Sequence, residues 1–176
     1  AKTAQDLESA EKLILPGVGH FDHAMGELVN SGMLDTLNEL VLEKMLPIIG
    51  ICVGMQMMAN SSDEGTSEGL KWIDATVKKF DETKIRQVTR LPHMGWNDAY
   101  PVVTNPLFEG LEKDALFYFL HSYYFDCKNA EDVIAVSDYG DRFTCAANHG
   151  NVYGIQFHPE KSHKYGEKLL NNFAKL

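Results

Sequence analysis

The sequence has no apolar run near the ~20 residues that a membrane-spanning helix needs. It also lacks internal repeats, low-complexity tracts and linker-like stretches, so residues 1–176 read as one domain. Cysteine is scarce: Cys52, Cys127 and Cys145 are all there are. Their number is odd and none forms a CxxC pair, which excludes a disulfide framework and a zinc knuckle. Reduced thiols in a cytoplasm are expected instead. Positive charge is short as well, with 16 Lys and Arg against 25 Asp and Glu and a net charge of −9. A phosphate backbone or an anionic bilayer recruits a basic face, so neither nucleic acid nor membrane is an expected partner. Residues 1–12 are polar and of mixed charge and do not read as a secretory leader. His20 and His23 lie close together, but no third and fourth ligand stand at useful spacing, so no metal is expected.

What is present is the composition of a globular protein, 44% hydrophobic and 23% charged, long enough for a sizeable core. Residues 13–15 form a short apolar run closed by Pro16 and Gly17, which predicts a buried strand and a turn. Phe21, Met25, Leu28 and Val29 follow helical spacing until Ser31 and Gly32 interrupt it, and Leu34, Leu37, Val41 and Met45 mark a second helical stretch. A second buried strand is expected over 46–51, with a helix beginning at 53. Further strands are expected around Ile73, Ala75 and Val77, over the aromatic-rich stretch 116–125, and over 133–136, 143–147 and 152–157. Leu169, Leu170, Phe173 and Leu176 give the last helix an apolar face. Helices alternate with strands early and strands cluster late, which predicts an α/β domain with a parallel core and added antiparallel strands.

Chemistry enters at Gly50-Ile51-Cys52-Val53-Gly54, a G-x-C-x-G segment between a predicted strand and a predicted helix. This is the cysteine form of a nucleophile elbow. Flanking glycines allow a sharp turn that lifts the sulfur above the sheet. The helix N-terminus behind it is expected to lower the thiol pKa, and the Val53 amide is expected to face a developing oxyanion. Five residues with three fixed positions also suit a small buried cysteine in a turn; the strand before and the helix after favour the elbow. Residues 154–160 read Gly-Ile-Gln-Phe-His-Pro-Glu. Pro159 holds His158 in an extended conformation, from which His158 and Glu160 can point the same way. A carboxylate there would fix the imidazole tautomer and stabilise the imidazolium. Alone, the pair suits a surface His and a solvated Glu.

Taken together, PGVG (16–19), GICVGMQ (50–56), PHMGWN (92–97), YFLHSYY (118–124) and GIQFHPEKS (154–162) resemble the glutaminase subunits of imidazole glycerol phosphate synthase, within the wider triad glutamine amidotransferases. The resemblance runs from about Lys12 onward. It implies a flavodoxin-like class I amidotransferase fold, with a mostly parallel central sheet. It implies Cys52 as nucleophile, His158 as base and then acid, and Glu160 as its orienter. It implies an oxyanion hole from the Val53 amide and the Gly17-Val18-Gly19 loop. Gln56, His121, Ser122 and Tyr123 would hold glutamine, and Met94, Trp96, Tyr118 and Lys161 would face a (β/α)8-barrel synthase that receives the ammonia. No cofactor is implied.

Two departures stand out. Val53 replaces the leucine usual in that group. The group also carries an N-terminal strand–helix–strand ahead of the point where this sequence begins. Without it, strand 13–15 is expected at an exposed sheet edge, where a second copy could pair. Three rival readings remain open at this stage: a paralogous glutaminase feeding a sugar amidotransferase of surface-polysaccharide synthesis, a non-catalytic binding protein on the same fold, and a cysteine hydrolase. The PHMGWN and HSYY stretches speak against the last.

Overall fold

The computed structural model describes residues 1–88 and 90–176. In chain order the elements are α1 (Ala4–Glu8), β1 (Leu13–Gly17), α2 (Phe21–Asn30), α3 (Leu34–Asn38), β2 (Ile48–Cys52), α4 (Val53–Met57), β3 (Ser61–Ser62) and β4 (Ala75–Lys79). They continue with β5 (His93–Asp98), β6 (Tyr100–Pro101), β7 (Leu116–His121), β8 (Tyr123–Cys127), β9 (Val133–Tyr139), β10 (Asp141–His149), β11 (Val152–Ile155) and α5 (His163–Lys175).

One large sheet runs β1-β2-β11-β10-β8-β4-β3, with β9 also on β10 and β6 on β9. The parallel core and the added antiparallel strands of the expected class are both present. β1, β2 and β11 are mutually parallel, and β10 joins β11, β9 and β8 in antiparallel fashion. β2 (IIGIC) is almost wholly buried and β11 (VYGI) fully so. That explains why both read as unbroken apolar runs: a parallel strand is covered on both faces. Neighbouring Ile48 and Ile49 point to opposite faces and enter two different apolar clusters. One cluster packs α2, α3 and α4 against the sheet. The other gathers Phe108, Phe117, Phe119, Phe157, Leu169 and Phe173, and includes α5. β1 forms the sheet edge, and Ile14 on it is exposed.

α2 starts where His20 accepts a hydrogen bond from the Asp22 N–H, and it buries Phe21, Met25 and Leu28 at helical spacing. The second helical stretch departs from expectation. After α3 the chain widens into a π-turn over Glu39–Glu43, and Met45, expected on its apolar face, is exposed with φ 56°. Pro47 is the physical reason for the break. It lacks an N–H and disfavours helix in the residue before it, so β2 begins at Ile48 and not at 46.

The stretch 116–125 is not one strand. The chain changes sheets at Ser122: β7 pairs with β5 in a separate two-stranded sheet, and β8 pairs with β4 in the main one. Alternation and aromatic content are the same on both sides of Ser122, so periodicity cannot show the break. β5, over most of PHMGWN, is a strand that the sequence pattern does not predict. Gly95 at φ 135° occupies backbone space closed to other residues and interrupts the pattern.

Candidate active site

β1, β2 and β11 are parallel and their carboxyl ends lie side by side: Gly17 sits opposite Cys52, and Ile155 opposite Ile51. The loop Gly17–Gly19, the Cys52 turn and His158 therefore emerge together, at the edge of the sheet where α/β folds place their chemistry. They border a cleft of about 310 Å³ lined by Val18, Gly19, Cys52, Val53, Gln56 and Glu64, and further by His121, Ser122, Tyr123, His158 and Lys161.

Cys52 is a non-glycine residue held at φ 56°, ψ −114°. That conformation costs on the order of 1–3 kcal/mol and persists only where packing enforces it. The enforcing contact is close. A Cβ placed on Gly54 would lie 1.8 Å from the Leu15 carbonyl oxygen, and one on Gly17 would lie 2.4 Å from the Gly54 nitrogen. Only glycine at these positions lets α4 descend onto β1 and turn the chain sharply at Cys52. The sulfur lies 3.8 Å from the Leu120 carbonyl, to which the thiol donates, and 3.7 Å from Gln156 Nε2, which donates to it.

The expected lowering of the thiol pKa is not found. Burial pushes Cys52 up to about 11, outweighing the Val53 N–H and the Gln156 amide, which act the other way; the Glu160 carboxylate adds to the rise. α4 is only five residues long, so little helix field stands behind the sulfur. The resting thiol is neutral.

His158 is extended, with φ −100° and ψ 97°, as Pro159 requires. Its Nδ1 lies 2.7 Å from Glu160 Oε1, while the ring is buried and the carboxylate about half exposed. The backbone of His158 is pinned twice. Its N–H donates to the Tyr118 carbonyl at 2.8 Å. Ser162 Oγ donates to its carbonyl at 2.6 Å and accepts the Tyr118 N–H at 3.0 Å.

Gln56, His121, Ser122 and Tyr123, expected to hold glutamine, all line the cleft, but two of them already have protein partners. His121 Nδ1 lies 2.7 Å from the Tyr123 carbonyl and its Nε2 3.0 Å from His93 Nδ1. The Gln56 amide, expected to hold a ligand, is already engaged with the Tyr123 carbonyl (3.3 Å) and with Gln156 Oε1 (3.0 Å). Gln156 is a site residue that the sequence reading misses, although it lies inside the GIQFHPE stretch, where alternation from His158 places it on the same side of the strand. Glu64 is missed as well. It comes from an irregular Ser/Asp/Glu/Gly segment, and its Oε2 accepts the Phe21 N–H at 2.9 Å. No pattern marks it.

The residues expected to face a partner form a continuous rim. Met94 is 62% exposed and Trp96 47%. Trp96 crosses Tyr118 edge-on at 6.1 Å and stacks on His163 at 5.4 Å, and Lys161 Nζ sits 5.7 Å from the Tyr118 ring centre. Among the described residues, no cluster of three or more His, Cys, Asp or Glu side chains could hold a metal ion, and no helix is long and apolar enough to cross a membrane.

The family described as glutamine amidotransferase class-I matches residues 2–176. The imidazole glycerol phosphate synthase subunit HisH of Bdellovibrio bacteriovorus is 53% identical over the whole of this chain, which spans 86% of it. The protein of the same name from Leptospira interrogans is 51% identical over 99% of this chain and 86% of its own length. Among solved structures, one described as a glutamine amidotransferase superposes with a TM-score of 0.72 at 20% identity, covering 99% of this chain and 85% of that one. A glutamine amidotransferase from Thermotoga maritima gives 0.64 at 19%, covering 96% and 64%. These two likenesses bear on the fold alone.

Proposed function

Because this chain belongs to the class-I glutamine amidotransferase family, we propose that it hydrolyses glutamine to glutamate and ammonia through Cys52, His158 and Glu160, as the glutaminase subunit of an imidazole glycerol phosphate synthase in histidine biosynthesis. The observation that carries this reading is the strained Cys52 turn opening onto the same cleft as a buried imidazole whose far nitrogen is held 2.7 Å from a carboxylate.

The steps follow from the groups present. Cys52 Sγ attacks the carboxamide carbon of glutamine and His158 takes the thiol proton. Glu160 keeps the proton of His158 on Nδ1, leaving the other nitrogen to act as base, and stabilises the resulting imidazolium. The Val53 amide and the Gly17–Gly19 loop receive the negative charge on the oxygen. The imidazolium then protonates the departing nitrogen, and ammonia leaves a γ-glutamyl thioester. Water, deprotonated by His158, attacks the thioester and releases glutamate and the thiol. Glu64 offers the substrate's α-ammonium group a carboxylate, and Ser122 and Tyr123 line the same cleft.

Glu160→Gln keeps an acceptor for His158 but removes the charge. Because Glu160 is half exposed, its electrostatic effect is screened, and kcat is expected to fall about 10–100-fold, less than for a buried triad carboxylate. Steady-state glutaminase kinetics measure this, and an unchanged kcat would remove Glu160 from the mechanism.

A neutral, buried thiol also suits an enzyme that is idle when alone. The rim of Met94, Trp96, Tyr118 and Lys161 supplies aromatic anchors for a barrel-shaped synthase. Adding that synthase with its own ligand is expected to raise glutamine turnover on the order of 100-fold, the change produced when a state populated at about one per cent becomes dominant. Equal turnover by the isolated chain would contradict activation by a partner.

A further inference from the structure

A line of hydrogen bonds leads from β5 into the cleft, and the triad does not use it. Asn97 Nδ2 donates to the Asp138 carbonyl at 2.9 Å and lies 3.2 Å from His93 Nε2. His93 Nδ1 lies 3.0 Å from His121 Nε2, and His121 Nδ1 lies 2.7 Å from the Tyr123 carbonyl. A carbonyl only accepts, so His121 carries its proton on Nδ1. With that ring neutral, Nε2 accepts, so His93 also carries its proton on Nδ1 and accepts the Asn97 amide at Nε2. One set of tautomers satisfies every pair. Both imidazoles are buried, and burial holds each well below the ordinary imidazole range. His93 is stacked between Phe119 at 4.8 Å and Tyr139 at 4.1 Å, with Phe80 and Phe143 at its edges.

The inner end of this line reaches the sulfur. The Tyr123 carbonyl that accepts from His121 also accepts from Gln56, Gln56 donates to Gln156, and Gln156 donates to Cys52 Sγ. Leu120, the neighbour of His121, places its carbonyl against the same sulfur. The outer end is β5, whose Met94 and Trp96 are exposed. His121 and Tyr123 also flank Ser122, where the chain crosses from the small sheet to the large one, so the His121–Tyr123 bond fixes that crossing.

We propose that His93 and His121 are positioning residues of the glutaminase: a neutral imidazole pair that ties the exposed strand β5 to the Gln56 and Gln156 amides and the Leu120 carbonyl around Cys52. The proposal rests on the reading of Cys52 as nucleophile. It also gives a partner seated on Met94 and Trp96 a mechanical route to the sulfur, because β5 cannot shift without moving His93, and His93 cannot move without releasing His121.

The test has parts that do and do not depend on glutamine. Imidazole 15N spectra of the full chain are expected to show His93 and His121 both as Nδ1–H tautomers. His93→Phe keeps an aromatic ring in the stack but leaves His121 Nε2 and the Asn97 amide without their partner. His93→Asn returns a donor near the Nδ1 position. With the partner synthase and its ligand present, His93→Phe is expected to lower kcat about 10-fold or more with little change in KM, the effect of one buried unpaired group felt at the reacting centre. His93→Asn should recover most of that loss. In the isolated chain, the rate at which iodoacetamide alkylates Cys52 should change in His93→Phe and return toward wild type in His93→Asn. An Nε2–H tautomer on His121 overturns the proposal, as does a folded His93→Phe with wild-type kcat and alkylation rate. If His93→Phe does not fold, the wild-type tautomers and the alkylation rate of His93→Asn decide. Absence of glutamine turnover by the wild-type complex would defeat the glutaminase reading, while tautomers and alkylation still judge the pair.

Discussion

Cys52→Ala is expected to lower glutamine hydrolysis on the order of 10⁵-fold or more, the scale seen when the nucleophile of a catalytic unit is removed. Among the described residues that line the cleft, Cys52 carries the one thiol. Ser122 and Tyr123 line the cleft, but the His158 imidazole and its carboxylate are set at the ends of the same parallel strands that end at Cys52. The other two thiols provide the control. Burial pushes Cys127 up to about 12 and Cys145 higher still, and neither borders the cleft. Cys127→Ala and Cys145→Ala should therefore retain turnover, with Cys145→Ala losing some stability because the residue is fully buried. Cys52→Ala removes one buried sulfur and keeps the Cβ, so circular dichroism is expected to show the wild-type fold with a modest loss of stability. Normal turnover by this variant would end the assignment.

The second large effect comes from a residue with no chemistry of its own. Gly54→Ala places a methyl group 1.8 Å from the Leu15 carbonyl oxygen, a backbone atom that cannot step aside without moving β1. Either β1 leaves its pairing with β2 or α4 lifts away from the sheet, and both undo the Cys52 turn. Overpacking against backbone is expected to cost about 3 kcal/mol or more. In a chain of this length that lowers Tm by about 10 °C or prevents folding. Gly26→Ala is the matched control, because a Cβ there, within α2, meets nothing within 4 Å. It should be neutral or gain up to about 1 kcal/mol from helix propensity. Thermal unfolding of the two variants beside the wild type measures the contrast. A Gly54→Ala protein that melts and turns over like the wild type would mean that the elbow does not depend on this close approach.

These two residues also mark where the sequence is legible. The elbow reads from five letters because its requirement is local: glycine where backbone meets backbone, between an apolar strand and a helix. The His158–Glu160 pair reads almost as well, because Pro159 fixes the intervening geometry. The parallel core reads from its unbroken apolar runs, and α2 from its spacing. Long-range geometry does not read. Ser122 divides 116–125 between two sheets, and neither composition nor alternation changes there. Glu64 reaches the cleft, and the Gln156 amide reaches the Cys52 sulfur, only because segments distant in sequence meet in space. The thiol pKa runs against the sequence-based expectation for a similar reason. A helix N-terminus is visible in sequence, but the burial of Cys52 under Leu120 and Gln156 is not, and burial is the larger effect. In sequence His93 looks like a packing or surface residue and His121 is expected to hold glutamine; only their 3.0 Å contact joins them.

The most direct test is to trap the acyl enzyme. The chain, with its partner synthase and ligand, is mixed with glutamine, quenched in acid within a turnover, digested and mapped by mass spectrometry. The expected result is a γ-glutamyl thioester on the peptide that contains Cys52, absent from Cys127, from Cys145 and from the Cys52→Ala protein. Glutamine turnover with no adduct on Cys52, or with the adduct on another residue, would contradict nucleophilic catalysis by this thiol.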